Sequence, residues 1–157
     1  MALRWGSFRQ VRFRPRGLIL PAMISYGVYR LLHFFGIFLL LTALGGAVMR
    51  AMLGGTRTAA ATPGGDGADE AAAKRLRRLI GISHGVALFL ILLGGFGMLA
   101  RLDIGMPGWI IGKLGIWLVL GGLLAAANRM AGRARVLWFA IPVLGLLAAW
   151  LAYTRPF

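Results

Sequence analysis

The sequence has no cysteine and only four carboxylates, Asp66, Asp69, Glu70 and Asp103. Without cysteine there is no disulfide framework, thiolate chemistry, iron–sulfur cluster or Cys-zinc site. The long apolar stretches contain neither a carboxylate pair nor a Ser/His/Asp set, so hydrolytic chemistry lacks its residues. Histidine is scarce as well, with only His33 and His84, and no His-rich metal cluster exists. Charged residues make up 14% of the chain, against about 25% in soluble domains.

What remains is apolar and basic. Hydrophobic residues make up 59% of the 157, and the mean hydropathy is +0.79. Eighteen Lys and Arg give a net charge of +14, which raises nucleic acid as a partner. A nucleic-acid binder gathers such charge on one soluble face. Here the charges fall in short clusters between long apolar runs, as membrane proteins place them. The sequence therefore points to lipid and away from nucleic acid.

A membrane helix needs about 20 mostly apolar residues to cross roughly 30 Å of hydrocarbon. Four stretches meet this requirement, at about 28–49, 79–100, 107–127 and 136–153. The fold class is accordingly all-α, a polytopic membrane four-helix bundle. A soluble bundle of four such helices would have nothing left in the chain to cover it. The segment 54–74 is small, polar and Gly-rich and reads as a flexible loop. The second connection is tight, with Pro107 suited to the start of the third helix. The third, Asn128 to Arg135, is a short basic turn.

Orientation follows the basic residues. Arg50, Arg57, Lys74, Arg75, Arg77, Arg78, Arg129, Arg133 and Arg135 lie in the first and third connections. This predicts a bacterial cytoplasmic (inner) membrane protein with those loops in the cytoplasm and both termini periplasmic. Residues 1–22 form a basic leader that works against this bias. They read as a signal peptide, a surface-lying arm, or the result of a start placed upstream of Met23, and the last is preferred. The membrane domain is then 23–157.

Polar groups inside a bilayer are costly and mark functional positions. Those present are Arg30, His33, Thr42, Ser83, His84 and Lys113. Ser83 and Thr42 can return their hydroxyls to the backbone one turn earlier. Arg30 and His33 share a helical face with Tyr29. His33 and Lys113 stand at comparable depths, because their helices start on the same side. His84 starts from the opposite side, roughly 15–20 Å from His33 along the membrane normal. The two histidines therefore cannot grip one iron within a subunit.

One axial imidazole per site remains possible, and in an apolar helical bundle that suits haem b or a porphyrin. Arg30, Lys113 or Arg101 can pair with its carboxylates. His33 is then the axial ligand, and His84 is a second metal or cofactor site or a structural contact. Snorkelling of Arg30 and Lys113, and interhelical hydrogen bonding by either histidine, are the plain alternatives. Gly108, Gly112 and Gly115, Gly81 and Gly85, and Gly121 with Ala125 are spaced for close helix packing. The pair beside His84 equally leaves room for a flat macrocycle. "GGFGMLA" has the outline of a dinucleotide fingerprint but no preceding strand, and is set aside.

The order of these features is also informative. A first-span His is followed by Arg50, then "SHGVALFLILLGGFGML", then "GWIIGKLGIWLVLGG" with its Lys. A basic turn, "NRMAGRAR", and a plain fourth helix complete the series. This resembles the SirB-type family of four-helix bacterial membrane proteins over about Tyr26 to Arg155. More distantly it is similar to the haem-binding J-type protoporphyrinogen oxidase and the copper-resistance D domain. The resemblance implies a four-helix bundle in the cytoplasmic membrane. From the J-type oxidase it places haem- or porphyrin-site roles on His33 and Lys113, whereas His84 matches only the SirB-like pattern. The leader and the 54–74 loop are extra to it.

The expectation is an integral membrane protein that binds haem b or a porphyrin and serves electron transfer or porphyrin redox chemistry. The alternative is a non-catalytic subunit or assembly factor, packing through Gly-rich faces as a homo-oligomer or within a larger complex. A transporter is less favoured, since the spans lack carboxylates and, apart from Pro142, any broken-helix signal.

Overall fold

A computed structural model describes residues 25–57, 67–103 and 105–156. Four α-helices account for nearly all of them: α1 Tyr26–Arg57, α2 Gly67–Leu102, α3 Gly108–Arg129 and α4 Ala134–Thr154. A single 3-10 turn, Ala131–Arg133, joins α3 to α4. No strand occurs among the described residues. All four helices are long and apolar enough to cross a bilayer, with mean hydropathies of 2.0 to 2.1 in their most apolar windows. The fold is an all-α four-helix bundle.

Burial supports a lipid surround. Only 17 to 33% of the residues in those windows are buried inside the protein. Side chains such as Phe38, Phe139 and Leu146 stand about 70% exposed (68, 71 and 71%). Apolar surface left in water costs roughly 25 cal/mol per Å2, and four helices bearing such surface would aggregate. In hydrocarbon the same faces cost nothing, and the backbone of each helix satisfies itself. The chain reads as a multi-pass membrane protein.

Helix α1 organises the bundle. Leu40, Ala43, Leu44, Ala47, Val48 and Ala51 are all buried, and all of these but Ala43 join Ile80, Ile116, Leu120, Leu137 and Ile141 in one core. Packed on α1 are α2, α3 and α4, while α2 and α4 do not touch each other. Most of the core lies toward the basic connections, called here the basic end, with Leu151 joining it from the opposite end of α4. Toward the opposite, far end α1 presents Leu31, Phe34, Phe35 and Phe38 outward.

The helix limits depart from expectation on one side. The proposed flexible loop 54–74 is shortened, because α1 continues to Arg57 and α2 begins at Gly67. The reason is local: "ADEAAAKRLRR" is rich in strong helix formers, and Asp69 and Glu70 sit in the first turn, where carboxylates suit the helix dipole. At 36 residues, α2 is about 54 Å long, well beyond the hydrocarbon thickness. Its first turns, with Lys74, Arg75, Arg77 and Arg78, project past the core. The other limits follow the sequence closely: Pro107 is the N-cap of α3, and α4 runs unbroken through Pro142. The leader 1–22 and residues 58–66 lie outside the described residues.

Candidate cofactor-binding site

The seam between α1 and α2 sets the position of His33. Near the far end, α2 carries the glycines of "GGFG". A Cβ at Gly94 would stand 2.6 Å from the Tyr29 carbonyl oxygen and 2.7 Å from the His33 nitrogen. One at Gly97 would overlap the Tyr29 ring. A Cβ at Gly36, on α1, would meet the backbone of Ala87 and Ile91 at 3.0 Å. At each of these approaches one of the two helices carries no side chain, which is how small residues bring membrane helices together.

In this seam the His33 ring lies against Gly95, whose Cβ would be 3.6 Å from ring atoms. Its Nδ1 is 2.8 Å from the Ile91 carbonyl oxygen. A carbonyl can only accept, so Nδ1 carries the proton, and in the neutral ring Nε2 keeps its lone pair. Among the described residues Nε2 has no hydrogen-bond partner. The ring is half-buried, locked in orientation by a backbone acceptor, with its second nitrogen open. That is the arrangement by which proteins orient a ligating imidazole.

Lys113 shares this level. The α2–α3 contacts pair His84 with Gly121 and Leu88 with Trp117, and the same antiparallel register brings Lys113 beside the turn of Ile91. The Lys113 ammonium lies 5.7 Å from the centroid of the Trp109 ring. Arg30 does not join them. It is exposed and stacks over Phe34, with 5.6 Å from the guanidinium carbon to the centroid. An open surface hollow of about 600 Å3 runs along it, lined by Ser25, Gly27, Val28, Arg30, Leu31 and Phe34.

His84 occupies a different setting. It is the only polar side chain in the buried set, and its Nε2 donates to the Gly121 carbonyl at 3.1 Å. Its Nδ1 is buried with no partner. This is the geometry of an interhelical tie, the structural contact named above as its alternative role. Gly81 and Gly85 face open space. Gly46 packs on Ile80 and Gly97 on Tyr29, so His84 falls about nine residues of α1 from His33, or roughly 13 Å at 1.5 Å per residue. The two rings are at separate levels, slightly closer than expected. Among the described residues no three His, Cys, Asp or Glu side chains gather around a metal position.

Two further ties complete the polar framework. Trp117 Nε1 donates to the Leu88 carbonyl at 3.2 Å, joining α3 to α2 one turn from His84. At the basic end Arg50 donates to the Asn128 side chain, while its Nε is buried without a partner. Thr42 donates to Phe38 in its own helix at 2.9 Å, as expected, whereas Ser83 makes no comparable bond. Comparison with family models, with curated proteins and with solved structures finds no match.

Proposed function

We propose that this protein is a SirB-like membrane protein of the bacterial cytoplasmic membrane that binds b-type haem or a porphyrin at the His33 level. It would serve electron transfer or porphyrin redox chemistry. The observation that carries the reading is the His33 ring, with Nδ1–H fixed on the Ile91 carbonyl and Nε2 without a hydrogen-bond partner among the described residues, at the level of Lys113 in an apolar bundle. The residues fit the group in kind: one neutral imidazole as axial ligand, and Lys113 as the carboxylate partner. Bound haem supplies a one-electron couple, which the chain's own side chains do not. The protein's part is to hold the ring, exclude water with the α1–α2 seam, and neutralise carboxylates. Arg30 serves a second carboxylate only by leaving Phe34.

The positive-inside rule gives the orientation, with the basic end in the cytoplasm. Because the chain lacks cysteine, single cysteines introduced near Arg78 and near Arg155 report each side by their reaction with an impermeant thiol reagent.

Expression with ample haem, followed by absorbance and pyridine haemochrome analysis, tests the central claim. The expected result is a Soret band that His33→Ala abolishes and His84→Ala retains. A folded but colourless protein would sink it and leave the non-catalytic subunit, packing in a homo-oligomer or larger complex, as the reading in possession.

A further inference from the structure

A second cluster stands at the far end, outside the His33 ring's immediate surroundings. Trp109 occupies the first turn of α3, and the Lys113 ammonium is 5.7 Å from its ring centroid. The Arg155 guanidinium carbon, arriving from the end of α4, is also 5.7 Å from that centroid. Arg155 reaches it through a left-handed backbone, φ 45 and ψ 57, with its N–H on the Leu151 carbonyl. That conformation is uncommon outside glycine, and here it folds the chain back over the helix end.

Two like charges beside one indole repel, and the ring quadrupole compensates them only modestly. Neither cation has a carboxylate partner among the described residues, and the Trp109 N–H has no acceptor there. Among the described residues the cluster has three donors and no anion. Its depth narrows the class of ligand. Lys113 is half-buried within the apolar span, Trp109 is half-buried, and Arg155 is exposed just beyond α4. The charge that completes the cluster lies at the hydrocarbon boundary, where a freely soluble anion has little reason to stay.

We infer that Trp109, Lys113 and Arg155 form a headgroup site for an anionic phospholipid, with the phosphate between the two cations and the acyl chains along α3 and α4. The site stands on its own geometry. It uses the ammonium that the haem reading assigns to a carboxylate, so the deciding variant is Arg155→Gln, which leaves Lys113 in place, and haem content is measured beside lipid binding in every variant.

The test uses the full chain in zwitterionic detergent, titrated with phosphatidylglycerol or phosphatidylcholine and read by native mass spectrometry of bound lipid. Phosphatidylglycerol is expected to be retained in preference to phosphatidylcholine. Losing a charge-assisted contact is worth about 1.5 kcal/mol, so Arg155→Gln lowers the affinity about tenfold. Lys113→Gln with Arg155→Gln lowers it further, and Arg155→Lys largely restores it. Arg129→Gln with Arg133→Gln, at the basic end, leaves this selectivity difference in place. Because Arg155 is exposed, its variant answers even if Lys113→Gln impairs folding. Unchanged phosphatidylglycerol binding in Arg155→Gln, or equal binding of the two lipids, would overturn the site. Displacement of the lipid by millimolar inorganic phosphate would overturn the lipid assignment in favour of a free anion.

Discussion

The two histidines sit in one bundle, each hydrogen-bonded to a main-chain carbonyl of a neighbouring helix, yet their free nitrogens differ. His33 protonates Nδ1 toward Ile91 and has no hydrogen bond at Nε2 among the described residues. His84 protonates Nε2 toward Gly121 and has Nδ1 sealed in the interior. In an imidazole the nitrogen farther from the backbone is the one best placed to reach a ligand. His84 has committed that nitrogen to packing, and His33 has reserved it. The comparison also extends to the surrounding helices. His33 lies in a glycine seam where backbones touch, whereas His84 bridges α2 and α3, which have few other close approaches. One ring is held by the seam; the other helps to make its interface.

The largest expected effect breaks the seam. Gly94→Ala places a methyl 2.6 and 2.7 Å from main-chain atoms of Tyr29 and His33, and α1 must retreat along with everything docked on it. The cost is about 3 kcal/mol, at the upper end of overpacking, and should appear as a lowered unfolding midpoint in mixed micelles. Gly85→Ala supplies the contrast. Its Cβ meets nothing, and exchanging glycine for alanine in a helix gains up to about 1 kcal/mol. Equal midpoints for the two variants would mean that the α1–α2 seam is not where the helices are pressed together.

His84→Ala comes next. It removes an interhelical bond, worth about 0.6 and at most about 1.7 kcal/mol in membrane proteins. It also opens a cavity, while relieving the orphaned Nδ1. The net loss should fall near 1 to 2 kcal/mol, with haem content unchanged. His33→Ala should show the reverse ordering, a smaller loss of stability and loss of the cofactor. If both replacements weakened the fold alike and left colour alone, the asymmetry between the rings would have no functional meaning.

How much of this could be read from the chain depends on what each feature is made of. The four spans were legible because hydropathy over 20 residues is a property of the sequence itself. The extension of α2 was written in the Ala-, Lys- and Arg-rich stretch before Leu79, but the glycines ahead of it dominated that reading. His33 and Lys113 were singled out as rare polar groups, and their shared level followed from helix rise alone. Their partners were not legible, since Ile91, Gly121 and Leu88 act through carbonyls that every residue possesses. "GGFG" was weighed as a failed dinucleotide motif when its use is to let Tyr29 and His33 approach. Gly81 and Gly85, which had the favoured spacing, face open space. Arg155 is not among the residues singled out by the sequence, because nothing in "YTRPF" announces a left-handed turn that brings it onto Trp109.

The smallest effects separate ties between helices from ties within one. Trp117→Phe keeps the ring bulk and removes only the indole N–H that Leu88 accepts, so about 0.6 kcal/mol should be lost. Thr42→Val removes a hydroxyl bonded to Phe38 in the same helix, a contact that holds no two elements together. Its unfolding midpoint should match the parent within error, since the Phe38 carbonyl keeps its ordinary helical partner. If Thr42→Val cost as much as Trp117→Phe, that hydroxyl would be serving a partner from outside the described residues. The face of α1 that carries Thr42 would then belong to an interface between proteins and not to lipid.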